Sequence, residues 1–250
     1  MKIFDLSGKT AIVTGASTGL GASMSLGLAE AGADIVLVDH QKRNKISSKI
    51  KKLGRKTLSL DGDLTNMDFI KEVVIKAVES FDKIDILVNN AGIIRRFPAI
   101  DHSEKDWDEV MSLNSKSVFF LSQEVARRMV KSKYGKIINI ASLLTFSGGL
   151  TVPSYSASKG AVGQITKALA NEWACNGICV NAIAPGYIKT SNTKPIRDDK
   201  KRFKTISDRI PSGRWGIPDD LKGAVIFLAS SASDYVNGHL LVVDGGWMAS

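Results

Sequence analysis

Short runs of consecutive apolar residues recur along the chain, and most are followed by a segment with helical periodicity. The runs lie at 10–14, 34–39, 56–60, 85–88, 136–141, 179–184 and 240–244. Apolar runs of this length between turn signals are typical of strands buried on both faces of a parallel sheet. The pattern contains no linkers or repeats. It predicts an α/β fold over residues 1–250: one doubly wound, seven-stranded parallel sheet flanked by helices.

The connecting segments predict where the helices begin and end. Ser103 to Met129 is amphipathic throughout and predicts one long helix. Ser154 precedes a second helical stretch, reaching about Cys175, and its hydroxyl is suited to cap that helix. Residues of about 187–212 are polar, charged and weakly patterned, which is typical of a mobile lid over a site.

Composition narrows the class of protein. The apolar content is 44% and the charged content 24%, which is ordinary for a soluble globular chain. No apolar run approaches the ~18 residues of a membrane helix, and the N-terminus lacks the apolar core of a signal peptide. Two cysteines in 250 residues, Cys175 and Cys179, indicate a reducing compartment and no zinc site. We therefore expect a cytoplasmic protein without a metal or a membrane partner.

The chain is basic, with 34 Lys and Arg against 25 Asp and Glu, a net charge of +9. The densest clusters are Lys42 to Lys56 and Lys194 to Lys204. Such clusters are most often solvated helix faces, but they can also attract anionic cofactors and substrates. No nucleic-acid-binding motif accompanies them, so a nucleic-acid partner is not expected.

A glycine-rich loop joins the first predicted strand to the first helix. Gly15 to Gly21 has the spacing Gly-x-x-x-Gly-x-Gly, and backbone N–H groups in a loop of this kind can cradle a phosphate. The loop lacks the Gly-Lys-Ser/Thr ending of a nucleoside triphosphate site, which argues against an ATPase.

Asp39 ends the second predicted strand, 18 residues beyond Gly21. An acid at this place accepts hydrogen bonds from the adenosine ribose hydroxyls and repels a 2′-phosphate, which favours NAD over NADP. Thr18 is uncharged and offers no clamp for that phosphate, whereas Lys42 and Arg43 could partly offset Asp39. An ordinary strand-end turn residue is the alternative for Asp39.

Further polar groups follow the third and fourth strands. Asp63 could meet the adenine edge or merely cap the following helix. Asn90, Ala91 and Gly92 would let a flat cofactor lie against the strand ends. Arg95 and Arg96 come directly afterwards and could bind a substrate carboxylate bidentately, or remain solvated loop charges.

Tyr155 and Lys159 are four residues apart in a predicted helix and therefore share one face. A tyrosine pKa near ~10 makes a poor base at neutral pH, and a nearby ammonium should lower it. Ser142 closes the fifth predicted strand and could hold a carbonyl or alcohol oxygen. Together with the glycine loop and Pro185-Gly186, this set indicates a redox site.

In order and spacing, these segments resemble the classical short-chain dehydrogenase/reductase family over nearly the whole chain. The resemblance implies a Rossmann-type domain and a homotetramer. It implies that Tyr155 is the general acid/base, that Lys159 lowers its pKa and holds the nicotinamide ribose, and that Ser142 polarises the reacting oxygen. Asn114 would support a proton-relay water through its main chain, and Ile188 and Thr190 would meet the nicotinamide carboxamide. The expected cofactor residues are Gly15, Ser17, Thr18, Gly19, Leu20, Gly21, Asp39, Asp63, Leu64, Asn90, Ala91, Gly92, Tyr155, Lys159, Pro185, Gly186, Ile188 and Thr190.

A second set of segments resembles one subgroup of that family, which acts on deoxy-keto sugar acids. The segments are 89–96, 103–108, 184–190, 209–216 and 230–238. The resemblance implies hydride transfer between NAD and a hydroxyl or ketone carbon of such an acid. The expected substrate contacts are Arg95, Arg96, Ser142, Tyr155 and Tyr187. A gluconate dehydrogenase or another carbonyl reductase of this fold remains an alternative. A cofactor-sensing protein without catalysis is a remote one, because it would be expected to lack Ser142, Tyr155 or Lys159.

Overall fold

The sheet is described by a computed structural model, which covers residues 2–40 and 45–250. Its seven strands are parallel throughout, in the order β3-β2-β1-β4-β5-β6-β7. The strands are β1 (Thr10–Thr14), β2 (Asp34–Asp39), β3 (Thr57–Asp61), β4 (Ile86–Asn89), β5 (Gly135–Ile140), β6 (Ile178–Pro185) and β7 (Leu240–Val243). The predicted doubly wound Rossmann-type sheet is confirmed.

Helices cover both faces of the sheet. In chain order they are α1 (Gly19–Glu30), α2 (Lys45–Lys52), α3 (Met67–Phe81), α4 (Glu104–Met111), α5 (Ser117–Ser132), α6 (Pro153–Trp173), α7 (Lys194–Asp198), α8 (Lys200–Asp208) and α9 (Lys222–Ala229). Helices α1, α2 and α9 pack on one face, and α3, α5 and α6 on the other. Alternate residues of β1 enter the two cores, since Val13 joins the first and Ile12 the second. Burial on both faces explains why this strand is apolar without alternation.

The strand order reverses at β1, which pairs with β2 on one side and β4 on the other. The chain crosses from the β3 edge back to the centre at this point. The connections after β1 and β4 therefore leave in opposite directions and open a crevice at the carboxyl ends of the strands. The predicted glycine loop and the segment after β4 both lie at this crevice.

The predicted single helix from Ser103 to Met129 is interrupted. Ser103 caps α4 as expected, because its Oγ accepts a hydrogen bond from Asp106 N at 3.1 Å. Residues 112–116 then form one π-helical turn before α5 begins. A π turn inserts one extra residue, so it shifts the faces of α4 and α5 relative to each other.

The prediction that Ser154 caps α6 is wrong. The helix begins one residue earlier, at Pro153, and Val152 occupies the cap position. Proline is favoured at the first helical position because its φ is fixed near the helical value and its missing N–H would be unpaired there anyway. Ser154 is instead buried inside the first turn, and its hydroxyl has no hydrogen-bond partner among the described residues.

The segment expected to be weakly structured contains α7 and α8. Its sparse apolar residues pack with each other in a cluster of their own, formed by Ile196, Ile206, Ile210 and Trp215. A few apolar side chains are enough to form a packed cluster here, because the large Trp215 side chain is almost fully buried among them. That residues 187–212 act as a lid, and that residues 1–250 form a single domain, stay predictions.

Two surveys of the described residues bear on the class of protein. No helix in residues 2–40 and 45–250 combines the length and apolarity needed to cross a membrane. Over the same residues, no three His, Cys, Asp or Glu side chains are grouped so that they could hold a metal ion.

Candidate active site

A cleft of about 1200 Å³ opens at the carboxyl ends of the central strands. Predicted site residues make up more than half of its lining: Gly15, Thr18, Gly19, Leu20, Asp39, Asp63, Leu64, Asn90, Ala91, Gly92, Arg95, Tyr155, Lys159 and Thr190. Predicted residues that do not line it are Ser17, Gly21, Arg96, Asn114, Ser142, Pro185, Gly186, Tyr187 and Ile188. The lining comes from the segments that follow β1, β2, β3, β4 and β6, and from Ile140 at the end of β5 with Tyr155 and Lys159 of α6.

The glycine loop presents backbone to this cleft. Gly15 has a φ of +62°, in the left-handed region that glycine adopts without strain. A Cβ on Gly21 would collide with the Gly15 carbonyl oxygen, so α1 can approach β1 only with glycine here. Thr18 precedes α1 without a side-chain capping bond. The first N–H groups of α1 thus face the cleft without a side-chain acceptor, as an anion-binding helix start requires.

The Thr14 hydroxyl and the Asn90 amide join the glycine loop to the end of β4. Thr14 Oγ1 accepts hydrogen bonds from Asn90 N at 2.9 Å and Ala91 N at 3.0 Å. Asn90 Nδ2 donates to Thr14 O at 2.9 Å and Gly15 O at 3.2 Å. Asn90 therefore fixes the two loops that border the crevice. Sequence reasoning assigned no role to Thr14, because a strand threonine gives no signal of its partners.

Asp39 lies in the cleft at the end of β2. Its Oδ2 accepts a hydrogen bond from Ser17 N at 2.9 Å, and its Oδ1 accepts from His40 N at 2.8 Å. Partial burial opposes ionisation of Asp39, yet these hydrogen bonds hold the pKa of its carboxyl below the usual value. Asp39 is thus ionised at neutral pH. Ser17 acts on Asp39 through its backbone N–H and its side chain, and it is not part of the lining.

His40 also lines the cleft, with its Nδ1 2.9 Å from Asp39 Oδ1, and was not among the predicted site residues. Its position directly after a strand-end acid was the available signal. Lys42 and Arg43, which the sequence suggested as an offset to Asp39, lie outside the described residues.

Asp63 does not take the capping role considered for it, and its contact with an adenine edge stays a prediction. It lines the cleft with Leu64, and its Oδ1 accepts a hydrogen bond from Thr65 N at 2.8 Å. The cap of α3 is Asn66, whose side chain accepts from Asp68 N. Asp63 thus shapes the loop before α3 and does not cap the helix itself.

Tyr155 and Lys159 share one face of α6 as predicted, and both reach the cleft. Lys159 is buried, and its Nζ donates a hydrogen bond to the Ile140 carbonyl at 2.6 Å. The same Nζ is 5.7 Å from the centre of the Tyr155 ring. Ser142 approaches Tyr155 from the end of β5, and their side chains are hydrogen-bonded. Of these groups, Ser142 contacts the phenolic oxygen of Tyr155, whereas Lys159 lies beside the ring and is bonded to Ile140 O.

The expectation that Lys159 lowers the pKa of Tyr155 is not met in this structure. Burial raises the pKa of Tyr155, and the hydrogen bond with Ser142 and the charge of Arg96 offset part of this rise. Burial also lowers the pKa of Lys159 to about 8. The physical reason is that Lys159 points at a backbone carbonyl rather than at the phenol, so desolvation dominates both groups.

Asn114 lies in the π-helical turn and is fully buried. Its Oδ1 accepts a hydrogen bond from Ile93 N, and its Nδ2 donates to Ile93 O, both at 2.9 Å. Nδ2 also contacts Ser158 Oγ at 3.1 Å, on α6 between Tyr155 and Lys159. The side chain therefore ties the loop after β4 to α6, and the water contact predicted for its main chain stays a prediction.

The two adjacent arginines differ in their partners. Arg95 contacts two carboxylates, with its Nη2 2.7 Å from Glu109 Oε2 and its Nε 3.3 Å from Asp106 Oδ1. Arg96 donates from Nη2 to the Asn192 carbonyl at 2.9 Å, and no carboxylate pairs with it among the described residues. Burial and the charge of Arg202 lower the pKa of Arg96. Of these two arginines, Arg96 is the one whose positive charge has no carboxylate partner among the described residues.

Some of the residues after β6 pack inside the protein, and others line the cleft. Gly186 packs so closely on Asp244 that a Cβ would lie 2.6 Å from its Cα. Ile188 is buried, and Thr190 reaches the cleft. Tyr187 stands apart, with its ring 5.2 Å from that of Trp215 and 4.8 Å from that of Trp247. Burial raises the pKa of Tyr187, and nearby arginine charges counteract it.

Several residues that line the cleft were not predicted. Lys189, Ser191 and Asn192 flank Thr190 beyond the end of β6. Their place directly after a Pro-Gly at a strand end was a usable signal, because ligands bind outside the carboxyl ends of such strands. The remaining additions are Gly62, Thr65, Ile93, Glu109, Leu113 and Ile140, which carry no pattern of their own.

Comparison with known proteins agrees with this geometry. A family model for enoyl-(acyl carrier protein) reductases matches residues 15–248. A 2-dehydro-3-deoxy-D-gluconate 5-dehydrogenase of Dickeya dadantii is 58% identical over 250 residues, covering 100% of this chain and 99% of the relative. A 5-keto-D-gluconate 5-reductase of Escherichia coli is 40% identical, covering 99% and 98%.

Among solved structures, an Agrobacterium tumefaciens protein provisionally assigned as a 2-deoxy-D-gluconate 3-dehydrogenase, with bound NADP, superimposes with a TM-score of 0.93. It is 48% identical, and the match covers 100% of both chains. Family, sheet order and the arrangement of Ser142, Tyr155 and Lys159 lead to one conclusion. The chain belongs to the short-chain dehydrogenase/reductase family.

Proposed function

We propose that this protein oxidises 2-dehydro-3-deoxy-D-gluconate at its C5 hydroxyl, with NAD as the hydride acceptor, and so forms the 2,5-diketo acid. It is an NAD(P)-dependent oxidoreductase of the short-chain family. The substrate assignment is supported by relatives of this activity that match the full chain. The observation that carries it in the structure is Arg96, a guanidinium without a carboxylate partner that acts on Tyr155 through its charge.

The cleft fits a dinucleotide. Gly15 and Gly21 leave no room for side chains where the loop turns, and the start of α1 lacks a side-chain acceptor. Asp39 would accept hydrogen bonds from the adenosine ribose hydroxyls, and Lys159 would donate hydrogen bonds to the nicotinamide ribose. When bound, the nicotinamide supplies the redox chemistry by accepting a hydride from the substrate carbon.

The chain's own residues handle the proton and the substrate. Tyr155 takes the proton of the reacting hydroxyl in its phenolate form and becomes the neutral phenol, and Ser142 holds the same oxygen by a hydrogen bond. Lys159, with a pKa of about 8, is mostly protonated at neutral pH. Its ammonium therefore places a positive charge beside Tyr155. Asn114 keeps α6 in register with the loop after β4. Arg96 binds the carboxylate of the sugar acid.

NAD is the proposed cofactor because Asp39 is ionised and would repel a 2′-phosphate. NADP is the alternative, and the relative from Agrobacterium tumefaciens carries it. The proposed preference for NAD over NADP therefore rests on the Asp39 carboxylate. That carboxylate is also hydrogen-bonded to Ser17 and His40.

Absorbance of NADH tests the proposal, with 2-keto-3-deoxygluconate and gluconate as substrates and NAD and NADP each supplied. We expect reduction of NAD by the deoxy-keto acid at a kcat/KM at least about tenfold above every other combination. Preference for gluconate would keep the fold and the proton chemistry but overturn the substrate. Activity with NADP alone would overturn the role given to Asp39.

Reduction of 5-keto-D-gluconate is the second candidate, since a reductase of that compound is 40% identical along almost the whole chain. This compound differs from the 2,5-diketo acid at C2, where a hydroxyl replaces the ketone, and at C3, where a hydroxyl is added. An added hydroxyl is poorly rejected by a site that does not hydrogen-bond it. Oxidation of NADPH by 5-keto-D-gluconate is the matching assay.

The resemblance to the family also supports two coarser proposals. We propose a homotetramer, for which light scattering at several protein concentrations is the test. We further propose a cytoplasmic location, on the basis of two unpaired cysteines, Cys175 and Cys179. Fractionation of the source cell checks the second, and recovery outside the cytoplasmic fraction would contradict it.

A further inference from the structure

Three arginine side chains near Tyr155 and Tyr187 have no carboxylate partner in the part of the chain that the structure describes. They are Arg96, Arg202 and Arg209. Two lysines of the same segment are paired, since Lys194 contacts Asp198 at 2.6 Å and Lys204 contacts Asp208 at 2.6 Å. The three arginines are distinguished by their charges acting on Tyr187, and arginine is the residue suited to binding planar anions.

Helix α8 is held in place by aromatic packing that also holds Tyr187. The Phe203 ring stacks on Trp215, with centroids 5.3 Å apart, and Trp215 Nε1 donates to Ser207 Oγ at 2.9 Å. The Tyr187 ring packs on the same Trp215 at 5.2 Å. Arg202 directly precedes Phe203 and is therefore carried by a helix with a fixed position beside Tyr187.

The other two arginines border the same aromatic group. The Arg209 guanidinium lies 4.2 Å from the Trp247 ring centre, and Trp247 contacts Tyr187 at 4.8 Å. Arg96 reaches the region from the loop after β4 through Asn192 O. All three charges act on Tyr187, and the charge of Arg202 lowers the pKa of Arg96. Like charges gathered without a counter-ion oppose folding, which is typical of a site that awaits an anion.

We propose that Arg202 and Arg96 together form a two-sided clamp for the substrate carboxylate, with Tyr187 as its apolar floor. The clamp joins the loop after β4 to helix α8, so α8 determines the preference for sugar acids over neutral sugars. Arg209, which is exposed on Trp247, attracts the anion from outside the clamp. Arg95 has no part in it, because Glu109 and Asp106 neutralise its charge. This inference rests on the proposed function and adds a residue to its site.

Replacement of Arg202 by glutamine tests the clamp, with Lys201→Gln as the matched control. Lys201 is the exposed neighbour on α8 and carries the same charge. We measure kcat and KM for 2-keto-3-deoxygluconate, and inhibition by gluconate against that by glucitol, a polyol of equal length without the carboxylate. Loss of a charged hydrogen-bonding partner should raise KM roughly tenfold to a hundredfold.

We expect kcat of Arg202→Gln to stay within about threefold of wild type, since Arg202 does not touch the reacting carbon. Gluconate should lose its advantage over glucitol, and Arg202→Lys should regain part of the KM. A KM for Arg202→Gln no higher than that for Lys201→Gln would overturn the clamp alone. A wild-type enzyme that neither oxidises the deoxy-keto acid nor binds gluconate would overturn the clamp and the proposed function together.

Discussion

The two ends of the sheet each bury a lysine beside a tyrosine, but they treat the charges differently. At the amino end, Lys136 is almost fully buried and its Nζ lies 2.8 Å from Asp234 Oδ1. Lys9 lies 3.2 Å from Asp85 and stands over the Tyr134 ring. Burial, together with Asp85 and Asp234, raises the pKa of Tyr134 to about 12. Each cation at this end has an acid, and the tyrosine stays neutral.

At the carboxyl end Arg95 is paired, but Lys159 and Arg96 lack an acid in the part of the chain that the structure describes. Lys159 has only a backbone carbonyl, and burial lowers its pKa to about 8. Arg96 has only the Asn192 carbonyl, and its charge favours ionisation of Tyr155. The comparison shows that a buried charge with a partner and a buried charge without one have different uses. Where it is paired it supports the fold, and where it is unpaired it is available to a substrate or a proton.

Removal of the phenol at the carboxyl end should have the largest effect. Tyr155→Phe leaves the ring packing but deletes the proton acceptor, so kcat should fall by about 10³-fold or more. Tyr235→Phe, at a fully exposed tyrosine, is the control and should leave kcat unchanged. NADH fluorescence should report unaltered cofactor binding in both variants. Substantial turnover by Tyr155→Phe would contradict the assignment of the base.

The lowered pKa of Lys159 predicts a stability that depends on pH. Lys159 releases its proton near pH 8 in the folded chain but near ~10.4 when unfolded, so between these values the unfolded state binds more protons. The free energy of unfolding should therefore rise, by roughly 2 kcal/mol from pH 7.5 to 9.5.

Urea unfolding at the two pH values measures this rise in wild type, Lys159→Met and Lys167→Met. Lys167 is exposed on the same helix and serves as the control. The rise should persist in Lys167→Met and disappear from Lys159→Met. An equal rise in all three proteins would show that Lys159 is not the group responsible.

Breaking a pair at the amino end should affect stability without affecting chemistry. Asp234→Asn leaves Lys136 buried without its carboxylate. Because Asp234 itself is largely exposed, we expect a loss of about 1–2 kcal/mol rather than the 3–5 of a fully buried pair. Asp208→Asn, in an exposed pair with Lys204, should cost little. Urea midpoints give the stabilities of both variants, and kcat of both should equal that of wild type. A changed kcat in Asp234→Asn would contradict the contrast between the two ends of the sheet.

The smallest expected effect is a shift in pH dependence. Arg96→Gln removes a positive charge that favours the Tyr155 phenolate, so the pKa of Tyr155 should rise. The ascending limb of kcat/KM for oxidation should then move to higher pH by roughly half a unit to one unit. Arg95→Gln is the adjacent control and should not move the limb, since Glu109 and Asp106 already neutralise Arg95. A limb that moves equally in both variants would mean that Arg96 has no particular access to Tyr155.

The sequence was most informative where structure depends on near neighbours. Buried strands, the glycine loop and the four-residue spacing of Tyr155 and Lys159 were all readable, because each rests on local periodicity. The π-helical turn at Asn114 was not, since an unbroken amphipathic pattern gives no sign of one extra residue per turn. The Ser154 cap failed because Pro153 is the better helix start.

Side-chain partners that are distant in sequence could not be predicted from local periodicity. Arg95 and Arg96 are indistinguishable by position, yet one meets Glu109, 14 residues away, and the other Asn192, 96 residues away. The same holds for Lys159, whose nearest acceptor proved to be Ile140 O on another element. The direction of a pKa shift follows from such distant neighbours and from burial, which are properties of the fold.

The packing of α7 and α8 has a consequence for how substrate range can change over evolution. Their apolar residues form a cluster separate from the two cores that hold the sheet, with Trp215 as its centre. Substitutions on the exposed side of α8 are therefore insulated from the strands that carry Ser142 and the glycine loop. Transplanting residues 194–210 between relatives would therefore exchange Arg202, the α8 half of the proposed clamp, without altering the two cores that hold the sheet.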